Sequence, residues 1–221
     1  MKTITLKEVE KNPFVSEFIK QSEIALRALN YTDHGLRHSV LVAARARTLA
    51  LGIGLTKREQ ELAAISAYCH DFANFLSRNY HSYLGALLFQ QIFKNEFSAK
   101  ELTIIMQAIA THDSDEMNFT SPISAVVVLA DKSDVRRDRV IIKDLNLIKS
   151  DIHNRVNYAV KAGKLGFSKD KTITLSLKIN THFVPVMEYF EIFTERMAYC
   201  RKAAEYLNYH FGLVINNFKL L

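Results

Sequence analysis

Six side chains of the kinds that bind transition metals are spaced through the first 131 residues of the chain. They are His38, the adjacent pair His70 and Asp71, then His81, His112 and Asp131. Burying an imidazole or a carboxylate costs free energy unless a partner satisfies it, and one metal ion can satisfy several such groups at once. The pattern therefore predicts a metal-dependent hydrolase rather than a helical domain without a site.

The residue types also restrict the metal. Four histidines and two aspartates without a thiolate favour Fe, Mn, Zn, Co or Ni over Ca or Mg. Two ions bridged by one carboxylate would use all six residues, and Asp71 is the expected bridge because it adjoins another ligand and is central in the set. Such a pair of ions would lower the pKa of a water and hold phosphate oxygens during in-line attack. We therefore expect two divalent ions, with Asp71 and Asp131 as the catalytic carboxylates. If His81 and His112 are not ligands, the other four residues form a mononuclear site.

Asp131 provides a local argument for a cation. It follows the apolar run AVVVLA, and a buried carboxylate without a partner would cost several kcal/mol. Lys132 points away from it by about 100° of helical turn. A metal ion or an arginine from elsewhere is the expected partner.

A second set of residues is suited to binding a phosphate near these ligands. His34 and Arg37 precede His38 closely, and they either line the mouth of a cleft or belong to a solvated helix start. Asp134 shares the helical face of Asp131, where it could orient a ligand, contact substrate or pair with an arginine. The predicted substrate-binding residues are His34, Arg37, Lys132, Asp134, Arg136 and Arg137, although the arginines also fit an ordinary solvated charge run.

Helices must position most of these residues. Capping boxes at Thr56 and Ser98 start two of the predicted helices, and Pro122 stands in the first position of another. Each candidate ligand lies near a predicted helix end, so several helices can direct ligands into one cleft of a bundle.

The spacing of apolar residues changes from a helical to a strand-like pattern near residue 155. Strands are predicted at 157–161 and 172–179, followed by a helix over 184–209 and a terminal strand, whereas 139–154 is predicted as one helix. The predicted fold is mainly α, a helical bundle over residues 1–150 with a β-β-α-β extension over residues 151–221. The aromatic residues of the long helix fit a core, and this helix could also serve a homodimer.

Composition restricts partners and compartment. The chain has 221 residues, 48% of them apolar, and a net charge of +6. It contains no run of about 18 apolar residues and no signal-peptide start, and its two cysteines fit no paired motif, so a cytoplasmic protein without a membrane span is expected. The modest positive charge comes without a nucleic-acid-binding motif and favours a small anionic substrate, a nucleotide for example, over nucleic acid.

His38, the His70-Asp71 pair and Asp131 resemble the H…HD…D signature of the HD-domain superfamily of metal-dependent phosphohydrolases. His81 in HSYLGA and His112 in AIATHD are similar to the two extra ligands of binuclear members, which include bacterial symmetrical diadenosine tetraphosphatases and HD-type cyclic-dinucleotide phosphodiesterases. The resemblance covers roughly residues 30–140. It implies hydrolysis of a phosphoester or phosphoanhydride of a nucleotide or similar small molecule by metal-activated water.

The departures from these relatives leave the substrate open. The glycine-rich motif and the lysine that follow the HD pair in the cyclic-dinucleotide group are absent, and HDFANF has Asn74 where some relatives have Lys or Glu. The Glu-Asp motif of alarmone hydrolases is also absent. The segment LADKSDVRRDRV is similar to a small HD subgroup with the same tail. The alternative function is a non-catalytic HD module that binds a nucleotide or a partner protein for signalling.

Overall fold

The computed structural model describes residues 3–114, 117–168 and 170–221, and the chain divides into two compact units, residues 1–131 and 132–221. This division lies earlier than the boundary predicted at residue 150. The second unit therefore includes helical segments that the sequence had assigned to the bundle.

Helices build the first unit. They are α1 (Leu6–Glu10), α2 (Pro13–Ala28), α3 (Leu36–Gly52), α4 (Lys57–Cys69), α5 (His81–Phe93), α6 (Ala99–Thr111) and α7 (Pro122–Lys132), whose last residue begins the second unit. Helix α3 packs along α4, α4 along α6, and α6 along α5. Residues 123–130 of α7 are all buried, as the apolar run AVVVLA predicts.

The starts of these helices follow the predicted capping chemistry. The Thr56 and Ser98 hydroxyls accept hydrogen bonds from the backbone N–H of Glu59 and Glu101, and each glutamate accepts one in return from the N–H of its capping residue. The Asn12 side chain caps α2 directly before Pro13. None of the helices in the described ranges is both long and apolar enough to cross a bilayer.

A small mixed sheet and one long helix form most of the second unit. Its elements are a 3₁₀ turn (Arg137–Arg139), α8 (Leu145–Ser150), α9 (Ile152–Ala159), β1 (Val160–Phe167), β2 (Thr172–Ile179), α10 (Val186–Tyr206), β3 (His210–Ile215) and β4 (Phe218–Lys219). The strand order is β1-β2-β3-β4, with β2 and β3 parallel and the other pairs antiparallel. Parallel neighbours require a crossover, which α10 provides. The mainly α fold with a β-β-α-β extension is confirmed, with β4 as an added two-residue strand.

Two predicted elements of the second unit were wrong. The helix predicted over 139–154 is a 3₁₀ turn followed by two short helices, because Asp144 and Asp151 each cap a new helix through their side chains. The strand predicted from residue 157 begins at Val160, since residues 157–159 complete α9. The helix capped by Asp151 therefore extends into the segment predicted as a strand.

Candidate metal centre

Three of the predicted ligands are oriented by the backbone of their own helix ends. His70 and His112 directly follow α4 and α6, and His81 begins α5. The Nδ1 of each ring lies 2.6 Å from the carbonyl oxygen three residues earlier in the chain. A carbonyl only accepts hydrogen bonds, so each Nδ1 carries the proton. The Nε2 atoms then face the interior of the site, as coordination of a metal ion would require.

The two carboxylate oxygens of Asp71 face different pairs of histidines. Its Oδ2 lies 3.2 Å from the Nε2 of His70 and 3.5 Å from that of His38. Its Oδ1 lies 3.1 Å from the Nε2 of His81 and 3.5 Å from that of His112. Asp71 therefore stands between two groups of imidazoles, in the arrangement that a bridging carboxylate requires.

Asp131 completes the first group. Its Oδ1 lies 3.4 Å from the Nε2 of His38 and 3.6 Å from that of His70. All six predicted ligands are buried, with at most 7% of any residue exposed. The structure thus brings all six together, and two overlapping sets of His and Asp side chains, both containing Asp71, have donor atoms close enough to hold metal ions.

The histidines face one another at short distances. The Nε2 atoms of His38 and His70 are 3.2 Å apart, and those of His81 and His112 are 3.0 Å apart. Two Nε2 lone pairs at such a separation repel each other unless a proton or a cation lies between them. Each group of donors is therefore built around a positive charge.

The acid–base properties of the site agree with that arrangement. Burial acts to raise the pKa of Asp71, but the charge of His70, together with the nearby His112 and His38 rings, holds it well below its usual value. Burial lowers the pKa of His70, yet Asp71 and Asp131 outweigh burial and raise it to about 10. Burial lowers the pKa of His112 to about 4. A proton on His70 thus balances part of the carboxylate charge, and metal binding must displace it.

Asn74 and Arg78, which are absent from the predicted site, join it in the structure. The Asn74 Nδ2 donates to Asp71 Oδ1 over 2.9 Å, and Asn74 Oδ1 accepts from Arg78 Nη1 over 3.1 Å. Arg78 Nη1 also lies 3.1 Å from His81 Nε2, and its Nη2 pairs with Asp113 over 3.2 Å. Residues 70–80 form a series of turns, so no helical period indicated that Arg78 reaches the site.

The predicted substrate-binding residues of the first unit lie at or beside α3. The His34 ring packs edge-on against that of His38, with 5.6 Å between centroids, and the residue is only 7% exposed. Arg37 is exposed and its Nη2 pairs with Asp33 over 3.0 Å. His34 therefore adjoins the metal-ligand group, and a contact of either residue with substrate stays a prediction.

The other four belong to the second unit. Asp134 is fully buried and accepts a hydrogen bond from the Nε of Arg136 over 2.8 Å. Arg137 donates to the Tyr158 carbonyl over 2.7 Å and stacks 4.3 Å above its ring. Lys132 is buried at the end of α7. These contacts give Asp134, Arg136 and Arg137 structural partners, and the predicted contacts of all four residues with substrate remain predictions.

Comparison with known proteins finds one matching family model and two similar proteins. The model of the HD domain matches residues 35–136. An uncharacterized protein of Methanocaldococcus jannaschii is 29% identical over 155 residues, which cover 60% of this chain and 60% of that protein, so the chain spans about 60% of the length of this curated relative. The crystal structure of a predicted HD superfamily hydrolase from an uncultured Thermotogales bacterium is 21% identical, covering 60% of this chain and 75% of that one, with a TM-score of 0.44.

Proposed function

We propose that the chain, whose residues 35–136 match the model of the HD domain, is a metal-dependent phosphohydrolase acting on a small phosphorylated molecule such as a nucleotide. In the proposed reaction the oxygen of a water bonds to phosphorus while the bond to the leaving alcohol or phosphate breaks. The entering water loses a proton and the leaving oxygen gains one.

The observation that carries this proposal is the position of Asp71 between two imidazole pairs. Its Oδ2 and Oδ1 lie 3.1–3.5 Å from the Nε2 atoms of the four histidines. Ligand atoms about 2.0–2.2 Å from one ion are about 3.0–3.5 Å from each other. The separations within both groups fall close to this range, which supports His38, His70, Asp71 and Asp131 as ligands of one ion and Asp71, His81 and His112 as ligands of a second.

The nitrogen and oxygen donors suit Fe, Mn, Zn, Co or Ni. Such ions, when bound, lower the pKa of a coordinated water and polarise phosphoryl oxygens. The chain's own residues supply the orientation: backbone carbonyls set the ring tautomers of His70, His81 and His112, and Asn74 holds Asp71 by its Oδ1. Since these groups are already in place, little ordering cost remains when substrate binds.

The test is hydrolysis by the purified chain, reconstituted with Mn²⁺ or Fe²⁺, across a panel of nucleotides, dinucleotides and simple phosphate esters. We expect release of phosphate or nucleotide from at least one class, and at least a thousandfold loss of kcat in Asp71→Ala. His182→Ala is the matched control, because His182 is an exposed histidine of the second unit outside the proposed ligand set.

Hydrolysis of no member of the panel by the metal-loaded wild-type chain would contradict the proposal. Retention of binding to one of these nucleotides by such an inactive protein would instead favour a non-catalytic HD module.

A further inference from the structure

Arg78 brings a permanent positive charge to the edge of the candidate metal centre. Its Nη1 lies 3.1 Å from the Nε2 and 3.3 Å from the Nδ1 of His81, and its Nη2 lies 3.2 Å from Asp113 Oδ2. The Arg78 side chain is 27% exposed, whereas that of His81 is 2% exposed. The guanidinium therefore lies at the boundary between the buried donor groups and solvent.

Neighbouring side chains hold this guanidinium in place. Asn74 Oδ1 accepts from Nη1 over 3.1 Å, Asp113 accepts from Nη2, and the guanidinium carbon lies 5.8 Å from the centre of the Tyr31 ring. Counting the approach to His81 Nε2, these contacts use three of the five N–H donors of arginine. At least two N–H groups of Arg78 therefore remain for a ligand. The N–H group that faces His81 Nε2 would become a third if a metal ion bound that nitrogen.

Stability alone does not explain an arginine at this position. The ion pair with Asp113 is more than a quarter exposed on both sides, and pairs of that kind contribute little. The guanidinium carries a positive charge, so it opposes the binding of a metal cation at His81 Nε2. An anion in contact with both the guanidinium and the metal ion would offset the repulsion between them.

We infer that Arg78 binds a non-bridging oxygen of the phosphate on which the site acts, and that Asn74 and Asp113 position it. The planar fork of N–H donors matches two oxygens of a phosphate, and charge-assisted hydrogen bonds of this type are strong. The ligand class is a phosphate group with at least two unesterified oxygens facing the site. The inference rests on the proposed function, because it assigns Arg78 to the same substrate.

The test measures binding of inorganic phosphate to the Mn²⁺-loaded full chain by calorimetry, together with metal content and melting temperature. In Arg78→Gln the Kd for phosphate is expected to rise about tenfold to a hundredfold, with both other quantities unchanged. Arg78→Lys keeps the charge and loses the fork, so its Kd is expected to lie between those of the wild type and Arg78→Gln.

Arg58→Gln is the matched control. Arg58 is 26% exposed, pairs with Glu101 over 2.6 Å and approaches the ring of Phe97, so it has the same kinds of contact as Arg78. Its substitution is expected to leave the Kd for phosphate within about twofold of the wild type, because it removes no charge from the site.

Three results would overturn the inference: wild-type phosphate affinity in Arg78→Gln, loss of a metal ion from that variant, or no binding of phosphate by the wild type. The second result would make Arg78 a positioning residue for His81. The inference and the proposed function can fail separately. If phosphate binding depends on Arg78 but the chain hydrolyses no substrate, only the proposed function is contradicted. If the chain hydrolyses a substrate and Arg78→Gln leaves both KM and the Kd for phosphate unchanged, only the inference is contradicted.

Discussion

Asp71 joins the two halves of the candidate centre, because each of its oxygens faces a different imidazole pair. Its own orientation depends on Asn74, whose amide donates to both the Asp71 side chain and the Asp71 carbonyl over 2.9 Å. Removing a group that orients a metal ligand in this way typically lowers the affinity for the metal about 10–100-fold. At the scale of single residues, the site is a set of donors held by hydrogen bonds from outside the set.

Replacing Asn74 tests this dependence. Asn74→Ala removes both hydrogen bonds to Asp71 and the acceptor for Arg78, so we expect the affinity for Mn²⁺ to fall about tenfold or more while the fold is retained. Metal titration followed by calorimetry gives the affinity, and circular dichroism reports the fold. Asn95→Ala, at an exposed turn, is the control, and equal affinities of the two variants would refute the role of Asn74.

At the scale of elements, the sequence predicted structure correctly where residues close together in the chain determine it, as at several helix starts. Capping residues such as Thr56 and Ser98 predicted the starts of α4 and α6, and the positions of the ligands at helix ends predicted that they would meet. The contacts of Arg78 could not be predicted, because it lies in turns whose path depends on the packing around them. The prediction of one helix over 139–154 was wrong although the relevant signals were local. Asp144 and Asp151 are each suited to cap a helix, and each starts a separate short one.

Helix α1 was also missed, although Thr5 and Glu8 have the spacing of a capping box. Glu61 of α4 ties this helix to the bundle: its Oε1 accepts from the N–H of Leu6 over 2.5 Å, and its Oε2 pairs with Arg47 of α3 over 2.6 Å. One carboxylate thus connects three helices of the first unit.

The stability that Glu61 provides should depend on pH. Burial acts to raise its pKa, but Arg47 and the Leu6 N–H outweigh burial and lower it below the ordinary value of 4.5. A lowered pKa in the folded state adds stability above pH 4.5, and that stability is lost as the pH falls through the folded pKa. Glu61→Gln should therefore reduce the free energy of unfolding by about 1–2 kcal/mol at pH 7 and by less at lower pH.

Urea unfolding at pH 7 and near pH 3.5 measures the difference. Glu96→Gln, at an exposed position, should change the free energy of unfolding little at either pH. A loss in Glu61→Gln that is independent of pH would show that the ionised carboxylate is not what stabilises the junction.

At the scale of the whole molecule, the family match and the compact units do not end at the same residue. The HD match runs to residue 136, whereas the second unit begins at Lys132. Asp134 lies in this overlap, fully buried, with Arg136 Nε 2.8 Å from its Oδ1 and Arg139 Nε 3.9 Å from its Oδ2. These contacts give Asp134 a structural role inside the second unit.

Asp134→Asn removes the charge that balances two arginines, of which Arg139 is 2% exposed. Breaking a buried pair from one side costs about 3–5 kcal/mol, so we expect a loss of this order in chemical denaturation of the second unit. Asp138→Asn is the control, because Asp138 is 71% exposed and lies 3.7 Å from Arg136. Equal stability of the two variants would contradict the structural role of Asp134.

The central claim is that Asp71 bridges two metal ions held by the remaining five ligands. Equilibrium dialysis against Mn²⁺, followed by elemental analysis, measures it directly as ions bound per chain. We predict about two ions for the wild type, about one for His112→Ala and almost none for Asp71→Ala, with all three proteins folded. A wild-type chain that binds one ion or none, or an Asp71→Ala variant that still binds two, would contradict the claim.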